Sequence, residues 1–441
     1  MMTVELSGTD VPALQPRREL SLPESAETTL PNGLTVLAVR RRSVPLVELR
    51  LRIPLVEVDP AGAALLAESL CAATTSTSAV ELTRRIQRMG GTLTAGVDAD
   101  RLLVVGSALA AHLGDLLGIL GEVLTGACYP EAEVAQRAAR LAGMLRIVTA
   151  QPAHRALEAL NRRLYGEHVY GRPSPSPEEV LSVTSEDLLA LHADRVRATS
   201  ACLVLVGDID PDQALRAAGN ALSGLAGGEV PRRHRPLADD RATEAIEVLD
   251  APGAVQSSVR LALPCAGFGA PDLAAVDLAN VIFGGIFSSR LASNIREHKG
   301  YTYSAKSTLV FPQAGAAIAV IADVATAVTA PAVLEIRYEL GRMACTSVTT
   351  AEVDQAREYL FGVQRLGMAT QSGLANLVSE LAAHGLRLDW LTVHSERLAE
   401  AGVAEVNEAA ARYLAPARAV TVVVGDAAKV TSRLTTLMPV V

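Results

Sequence analysis

Residues 86–109, IQRMGGTLTAGVDADRLLVVGSAL, and residues 295–324, IREHKGYTYSAKSTLVFPQAGAAIAVIADV, follow one pattern. Each passes from a helical end through glycine into two strand-like runs joined by a short turn. The flanks repeat as well. VELRLRIP (47–54) precedes the first copy and SSVRLALP (257–264) the second, and each half closes on an apolar run ending in VGD, at 206–208 and 424–426. Pro54 and Pro264 are 210 residues apart, Gly91 and Gly300 are 209 apart, and Asp208 and Asp426 are 218 apart. Unrelated domains would not share that order and spacing. The chain therefore reads as a duplicated α+β unit: two tandem homologous domains, each an antiparallel sheet with helices, over 1–226 and 244–441. Residues 226–244, AGGEVPRRHRPLADDRATE, combine Gly, Pro and mixed charge with few apolar residues, which places a linker at 227–243. Two copies of so long a unit do not make a solenoid.

Local signals fill in the first half. Pro31-Asn32-Gly33 marks a turn, and Val36 to Arg40 alternates weakly. Val47 to Ile53 alternates apolar residues with Glu and Arg, the pattern of a half-buried antiparallel strand. Helices are predicted over Ala61–Ala73, Val80–Met89, Ala108–Thr125 and Pro130–Ala150. Two strands are predicted within Thr92–Ser107 around Asp98-Ala99-Asp100. GRPSPSPEE (171–179) reads as a rigid loop, Ser185 as the N-cap of a following helix, and ACLVLVGD (201–208) as a buried strand.

Composition narrows the function classes. The chain has 441 residues, is 49% hydrophobic and 20% charged, and carries a net charge of −8. Disorder is excluded over most of the chain, and the acidic balance argues against a nucleic-acid footprint. Five scattered Cys (71, 128, 202, 265, 345) form no C-x-x-C pair and read as reduced core residues rather than a disulfide framework. Only three of the 40 basic residues are Lys, and Arg and Ala richness points to a high-GC bacterial genome. The N-terminus lacks a basic segment followed by an apolar one, and the apolar run Ala314–Ile336 is broken by Asp323, Pro331 and Glu335. No membrane association and a cytoplasmic location are expected.

Three segments carry a family resemblance: LPNGLTVL (30–37), YGEHVYGRPSPSPEEVLSVTSEDL (165–188) and LANVIFGGIFSSRLASNIREHKGYTYSAKSTL (278–309). With the doubled VGD ends they resemble the half-length M16 (pitrilysin/insulinase-like) zinc peptidases over nearly the whole chain. The resemblance implies the family's metallohydrolase-like fold of two similar α+β halves, forming half of a clamshell. It also implies an inverted H-x-x-E-H motif on the first helix after the second strand. Two His one helical turn apart would hold Zn²⁺ and the Glu would activate the bound water. Here the matching helix reads GAALLAESLC, so Leu65, Glu68 and Ser69 stand at the His, Glu and His positions, and Gly143 falls near the distant third ligand. No metal site is expected in this chain, with Glu68 left facing a solvent-filled or polar pocket. No two of the eight His are three to five residues apart, and G-x-S-x-G and P-loop motifs are absent.

The resemblance also points to Arg296 and Tyr303, seven residues apart in IREHKGYTYS. In the family this pair reaches into the zinc site of the facing half and holds the substrate carbonyl beside the cleaved bond, where a guanidinium and a phenol meet developing negative charge. Read singly, Arg296 is a surface residue beside Glu297 and Tyr303 a strand residue alternating with Tyr301. Gly284, Gly285 and Ser288 form a candidate substrate loop, or alternatively a helix end followed by an N-cap at Ser288. The resemblance thus implies a non-catalytic, substrate-binding subunit of a heterodimeric zinc metallopeptidase. A homologous H-x-x-E-H-bearing partner would supply Zn²⁺, and peptides would add as a strand to that partner's sheet edge. A structural scaffold and a peptide-binding homodimer are the competing readings.

Overall fold

Six strands build the first sheet: β1 (Ser25–Thr29), β2 (Thr35–Arg40), β3 (Leu46–Pro54), β4 (Thr92–Val97), β5 (Arg101–Leu109) and β6 (Cys202–Gly207). Five build the second: β7 (Ile246–Asp250), β8 (Gln256–Pro264), β9 (Ala305–Val310), β10 (Ala317–Ala325) and β11 (Val420–Gly425). The computed structural model describes residues 21–229, 234, 237 and 245–441, so the linker expected at 227–243 lies largely outside the described residues. The strand orders are β1-β2-β6-β3-β5-β4 and β7-β11-β8-β10-β9. Without β1 they coincide element for element, including the one parallel pair in each, β2 with β6 and β7 with β11. The duplication is thus realised in topology, and the protein is an α+β fold of two like halves.

The doubled VGD has a steric origin. A Cβ on Gly207 would lie 2.4 Å from the Leu46 carbonyl oxygen, and one on Gly425 would lie 2.4 Å from Ser257 Oγ. At both strand ends the neighbouring strand passes too close for a side chain. The glycine equivalent to Gly300 proves to be Gly90, one residue before the expected Gly91: Gly90 has φ +60° and Gly300 φ +65°. Their separation then equals the 210 residues between Pro54 and Pro264.

Each sheet packs its own helices on one face and borrows a helix for the other. The helix Pro152–Tyr165 leaves the first half and lies on β8 and β11, burying Ala159, Leu160 and Leu164 against Ala262, Ala317, Val420 and Val422. The helix Gln371–Ala383 does the converse, burying Leu374, Ala375, Val378 and Leu381 against Val39, Val204 and Val206. This exchange corrects the expectation of a half-buried β3. Arg50 and Arg52 are 3% and 6% exposed because the second half covers their face. Arg50 is fully engaged there, donating to Asn376 Oδ1 at 2.7 Å, to Ser372 Oγ at 2.8 Å and to Glu48 at 2.9 Å.

Other local expectations are corrected by hydrogen bonding. The helix expected from Ala108 starts at Leu113, because Ala108 and Leu109 belong to β5. Thr184 rather than Ser185 caps the helix Ser185–Arg195, through a capping box with Asp187, while Ser185 Oγ donates to the Tyr129 carbonyl. The rigid loop 171–179 gives way to a helix at Pro177, whose missing N–H costs nothing at the first helical position. All five cysteines are free; Cys71, Cys202 and Cys265 pack against the cores, while Cys128 is half-buried and Cys345 exposed. One described helical run, Leu273–His298, is long and apolar enough to span a membrane; most of it is buried inside the fold.

Two measurements test the exchange. Leu160→Ala should destabilise the protein by about 2–5 kcal/mol in denaturant unfolding, since it opens a cavity between the halves; a change below 1 kcal/mol would contradict it. Glu380, on the borrowed helix, lies 3.1 Å from Arg101 of the first half. Its carboxyl is held down at about 2, first by the His384 N–H and then by Arg101, against the effect of burial. A carboxylate depressed on folding contributes fully above its unfolded value, near pH 4.5, and loses that contribution as pH falls toward 2. The excess stability of wild type over Glu380→Gln should shrink across that window, and a pH-independent difference would disprove the coupling.

Candidate functional site

The helix Pro60–Leu70 carries Leu65, Glu68 and Ser69, the positions that the resemblance sets against the zinc motif. It begins with Asp59 accepting from the Gly62 N–H at 2.8 Å, with proline in its first turn. Leu65 is fully buried in the core, and Ser69 is 2% exposed with its Oγ unpaired. Glu68 is partly exposed and flanked by polar groups. Its carboxylate is ion-paired with Arg140, and its backbone carbonyl accepts from Arg137 Nη1 at 2.8 Å. Both arginines stand on Glu131–Thr149, the helix on which Gly143 falls, and a Cβ on Gly143 would meet open space. A leucine side chain, a single hydroxyl and a carboxylate neutralised by a guanidinium do not fit a zinc ion, which requires several N, S or O donors. Among the described residues no group of three or more His, Cys, Asp or Glu is gathered as a metal cluster would need.

In the second half the corresponding region departs from regular helix. Val281–Gly285 and Ser293–His298 are π-helical, with a three-residue α-helical turn, Arg290–Ala292, between them. Such wide turns recur at functional sites. Gly284 lies inside the first of them because a Cβ there would come 2.7 Å from Ser307 Oγ of β9. The new N-cap is Ser289, not Ser288; Ser289 Oγ accepts from the Ala292 N–H, whereas Ser288 Oγ accepts from Gln355. Gly285 packs near Asn280 beneath the same turn.

The segment is anchored by polar contacts. Arg290 grips Glu352 with two bonds, Nε at 2.7 Å and Nη2 at 2.9 Å, and holds that carboxyl at about 2. Asn294 Nδ2 donates to Glu335 and to the buried Glu339, and Lys299 pairs with Glu335 at 3.1 Å. Arg296 projects from this frame. Its Nε donates to Glu297 Oε1 at 2.7 Å, and its guanidinium lies 4.6 Å from the centroid of the Phe287 ring. Thr302 then pins the chain by donating to the Asp323 carbonyl at 2.7 Å, and the next residue, Tyr303, is 98% exposed. Tyr303 precedes β9 instead of alternating within it, while Tyr301 packs on the second core.

The structure thus carries Arg296 and Tyr303 on one anchored segment without joining them to each other. It also adds Phe287, 77% exposed, which sequence reasoning passed over. An aromatic inside a glycine-serine run, in a chain with only 3% aromatics, was the signal for it. Asn294 and Thr302 carried no comparable local signal, since their partners lie 21 to 45 residues away.

Comparison with known proteins agrees with this architecture. Residues 182–360 match the family model described as the Peptidase M16 inactive domain. The chain is 26% identical over 318 residues to an uncharacterized zinc protease of Mycobacterium tuberculosis, covering 68% of this chain and 72% of the relative. It superposes on the peptidase M16 inactive domain from Pseudomonas fluorescens with a TM-score of 0.83 at 22% identity, covering 91% and 98% of the two chains. A protease from Helicobacter pylori gives the same TM-score at 20% identity, covering 91% and 100%. Residues 182–360 thus match the M16 inactive domain, and the chain as a whole shares the fold of these solved structures.

The donor set predicts that the purified chain, exposed to zinc and desalted, retains no tightly held ion at the Pro60–Leu70 helix. Elemental analysis showing one zinc per chain, lost on Glu68→Gln substitution, would overturn that.

Proposed function

We propose that this protein is a non-catalytic, substrate-binding subunit of a two-chain zinc metallopeptidase. A homologous H-x-x-E-H-bearing partner supplies Zn²⁺, its ligands and the base, and this chain supplies Arg296, Tyr303 and half of a closed chamber. The observation that carries the reading is the contrast between the halves. The first half has its zinc positions closed by core leucine and an Arg140–Glu68 pair. The second leaves a phenol 98% exposed on an anchored turn, on the same segment as an arginine whose contacts are local. A tyrosine so fully in water gains nothing for the stability of the monomer, and a phenolic donor suits a carbonyl oxygen that becomes negative during peptide attack. Peptides or unfolded segments are the proposed substrates, and the partner's sheet edge is the proposed place of docking.

A scaffold reading is favoured by one feature. Arg296 is already engaged by Glu297 and Phe287, so a substrate has to draw it away. The two readings separate by experiment. In the complex reconstituted with its zinc-bearing partner, Tyr303→Phe should lower kcat by about 10²–10³ while assembly and zinc content stay unchanged. Arg296→Lys should not restore activity to Arg296→Ala, since an ammonium lacks the planar fork. Wild-type rates in the folded, assembled double variant Arg296→Ala/Tyr303→Phe would leave the scaffold as the better account.

A further inference from the structure

Three arginines are buried among the described residues, and they are not equally served. Arg50 donates to Asn376, Ser372 and Glu48. Arg260 donates to the carbonyls of Val259 and Ala322 and to Asp323. Arg52, 6% exposed, has a buried Nη1 without a hydrogen-bond partner. Its nearest carboxylate oxygen, on Glu380, is 3.8 Å away, beyond hydrogen-bond range. Burial, and then the like charge of Arg101, lower its pKa against the opposing pull of Glu380, Asp98 and Asp100.

Arg52 lines a cavity of about 480 Å³ between the two halves. That volume lies within the range of small-molecule sites, which favour domain interfaces. The cavity is lined by Ala262, Ala317 and Ala319 of the second sheet and by Leu157, Leu160 and Leu164 of the borrowed helix. Ala262 is the duplicate of Arg52, 210 residues on, so the cavity sits where the two halves meet as equivalents. At its mouth Leu157 and Val310 remain 46% and 38% exposed, an apolar rim in contact with water.

The carboxylates that line the cavity are already occupied. Glu380 takes hydrogen bonds from Arg101 at 3.1 Å and His384 at 3.2 Å. Asp98 accepts from the N–H groups of Asp100 and Arg101. Asp100 accepts from the Tyr170 hydroxyl and from the Gln313 N–H, and lies 2.9 Å from His234. Arg101 Nε in turn lies 3.0 Å from Asp98, so among these charged groups the donor left without an acceptor is Arg52 Nη1, and the rest of the lining is apolar apart from Asn161 and two tyrosines. A charge-assisted bond from a desolvated guanidinium is among the stronger ones available to a small ligand.

We propose that this inter-half cavity binds a small apolar carboxylic acid, its chain between Leu157 and Ala319 and its carboxylate on Arg52. The site is separate from the Arg296–Tyr303 segment and independent of any proteolytic role. The test uses the full chain and two probes, decanoate and decanol, kept below micelle formation and followed by isothermal titration. Decanoate should bind saturably at one site per chain, at least tenfold more tightly than decanol. Arg52→Met, which keeps the volume and removes the charge, should weaken decanoate at least tenfold and leave decanol within twofold. Ala319→Leu should weaken both probes by filling the cavity. Should that variant fold poorly, Leu157→Glu at the exposed mouth should do the same. Absence of saturable decanoate binding, equal affinity for the two probes, or an unchanged decanoate affinity in folded Arg52→Met would each overturn the proposal.

Discussion

Each of the two sheets in this protein has a second apolar face that its own half does not cover. Val204 and Val206 on one sheet, and Val420 and Val422 on the other, are as fully buried as any core residue, and they are buried by a helix from the opposite half. At ~1.5–3 kcal/mol for a fully buried aliphatic side chain, either half alone would expose enough apolar surface to offset much of a domain's net stability. The reciprocal loan of Pro152–Tyr165 and Gln371–Ala383 therefore makes the halves a single unit. Every longer-range feature depends on it: the burial of Arg50 and Arg52 on β3, the bridge from Arg101 to Glu380, and the cavity between the halves.

The duplication then allows the halves to diverge. In the first, the helix Pro60–Leu70 is structural. Leu65 fills the core side, and Arg140 pairs with Glu68. Arg140 on the neighbouring helix neutralises the Glu68 carboxylate, Arg137 holds the Glu68 carbonyl, and two guanidinium groups there would repel a cation. In the second half the equivalent region has wide helical turns, a glycine pressed on β9, and an anchored chain that leaves Phe287 and Tyr303 in water. The proposed role in substrate binding rests on that asymmetry. Stability is served by the half that closed, and the half that stayed open displays the groups suited to a carbonyl.

The inter-half cavity follows from the same geometry. Equivalent positions on β3 and β8 carry Arg52 and Ala262, a long cation and a small apolar group. Two residues of similar size would have filled the space symmetrically. The mismatch leaves room on one side and an unmet donor on the other, a combination that packing alone does not favour.

Much of this was legible in the sequence, because duplication is written in order and spacing. The paired VELRLRIP and SSVRLALP strands, the doubled VGD ends and the similar offsets required no tertiary information, and that Leu65 and Ser69 offer no usual zinc donor is a matter of residue identity. What sequence could not reveal was which faces meet. The alternation in β3 gave no sign that its arginine face would be buried, since a charged residue reads as exposed until its partner 326 residues away is known. The glycine of the turn was displaced by one position, and the caps at Thr184 and Ser289 were each missed by one residue, because adjacent hydroxyls compete on equal terms until backbone geometry chooses between them. Arg296 and Tyr303 could be named from their motif. That one is held against Phe287 and Glu297 while the other stands in solvent was decided only by the fold, through the contacts of Asn294 and Thr302 with chain distant in sequence.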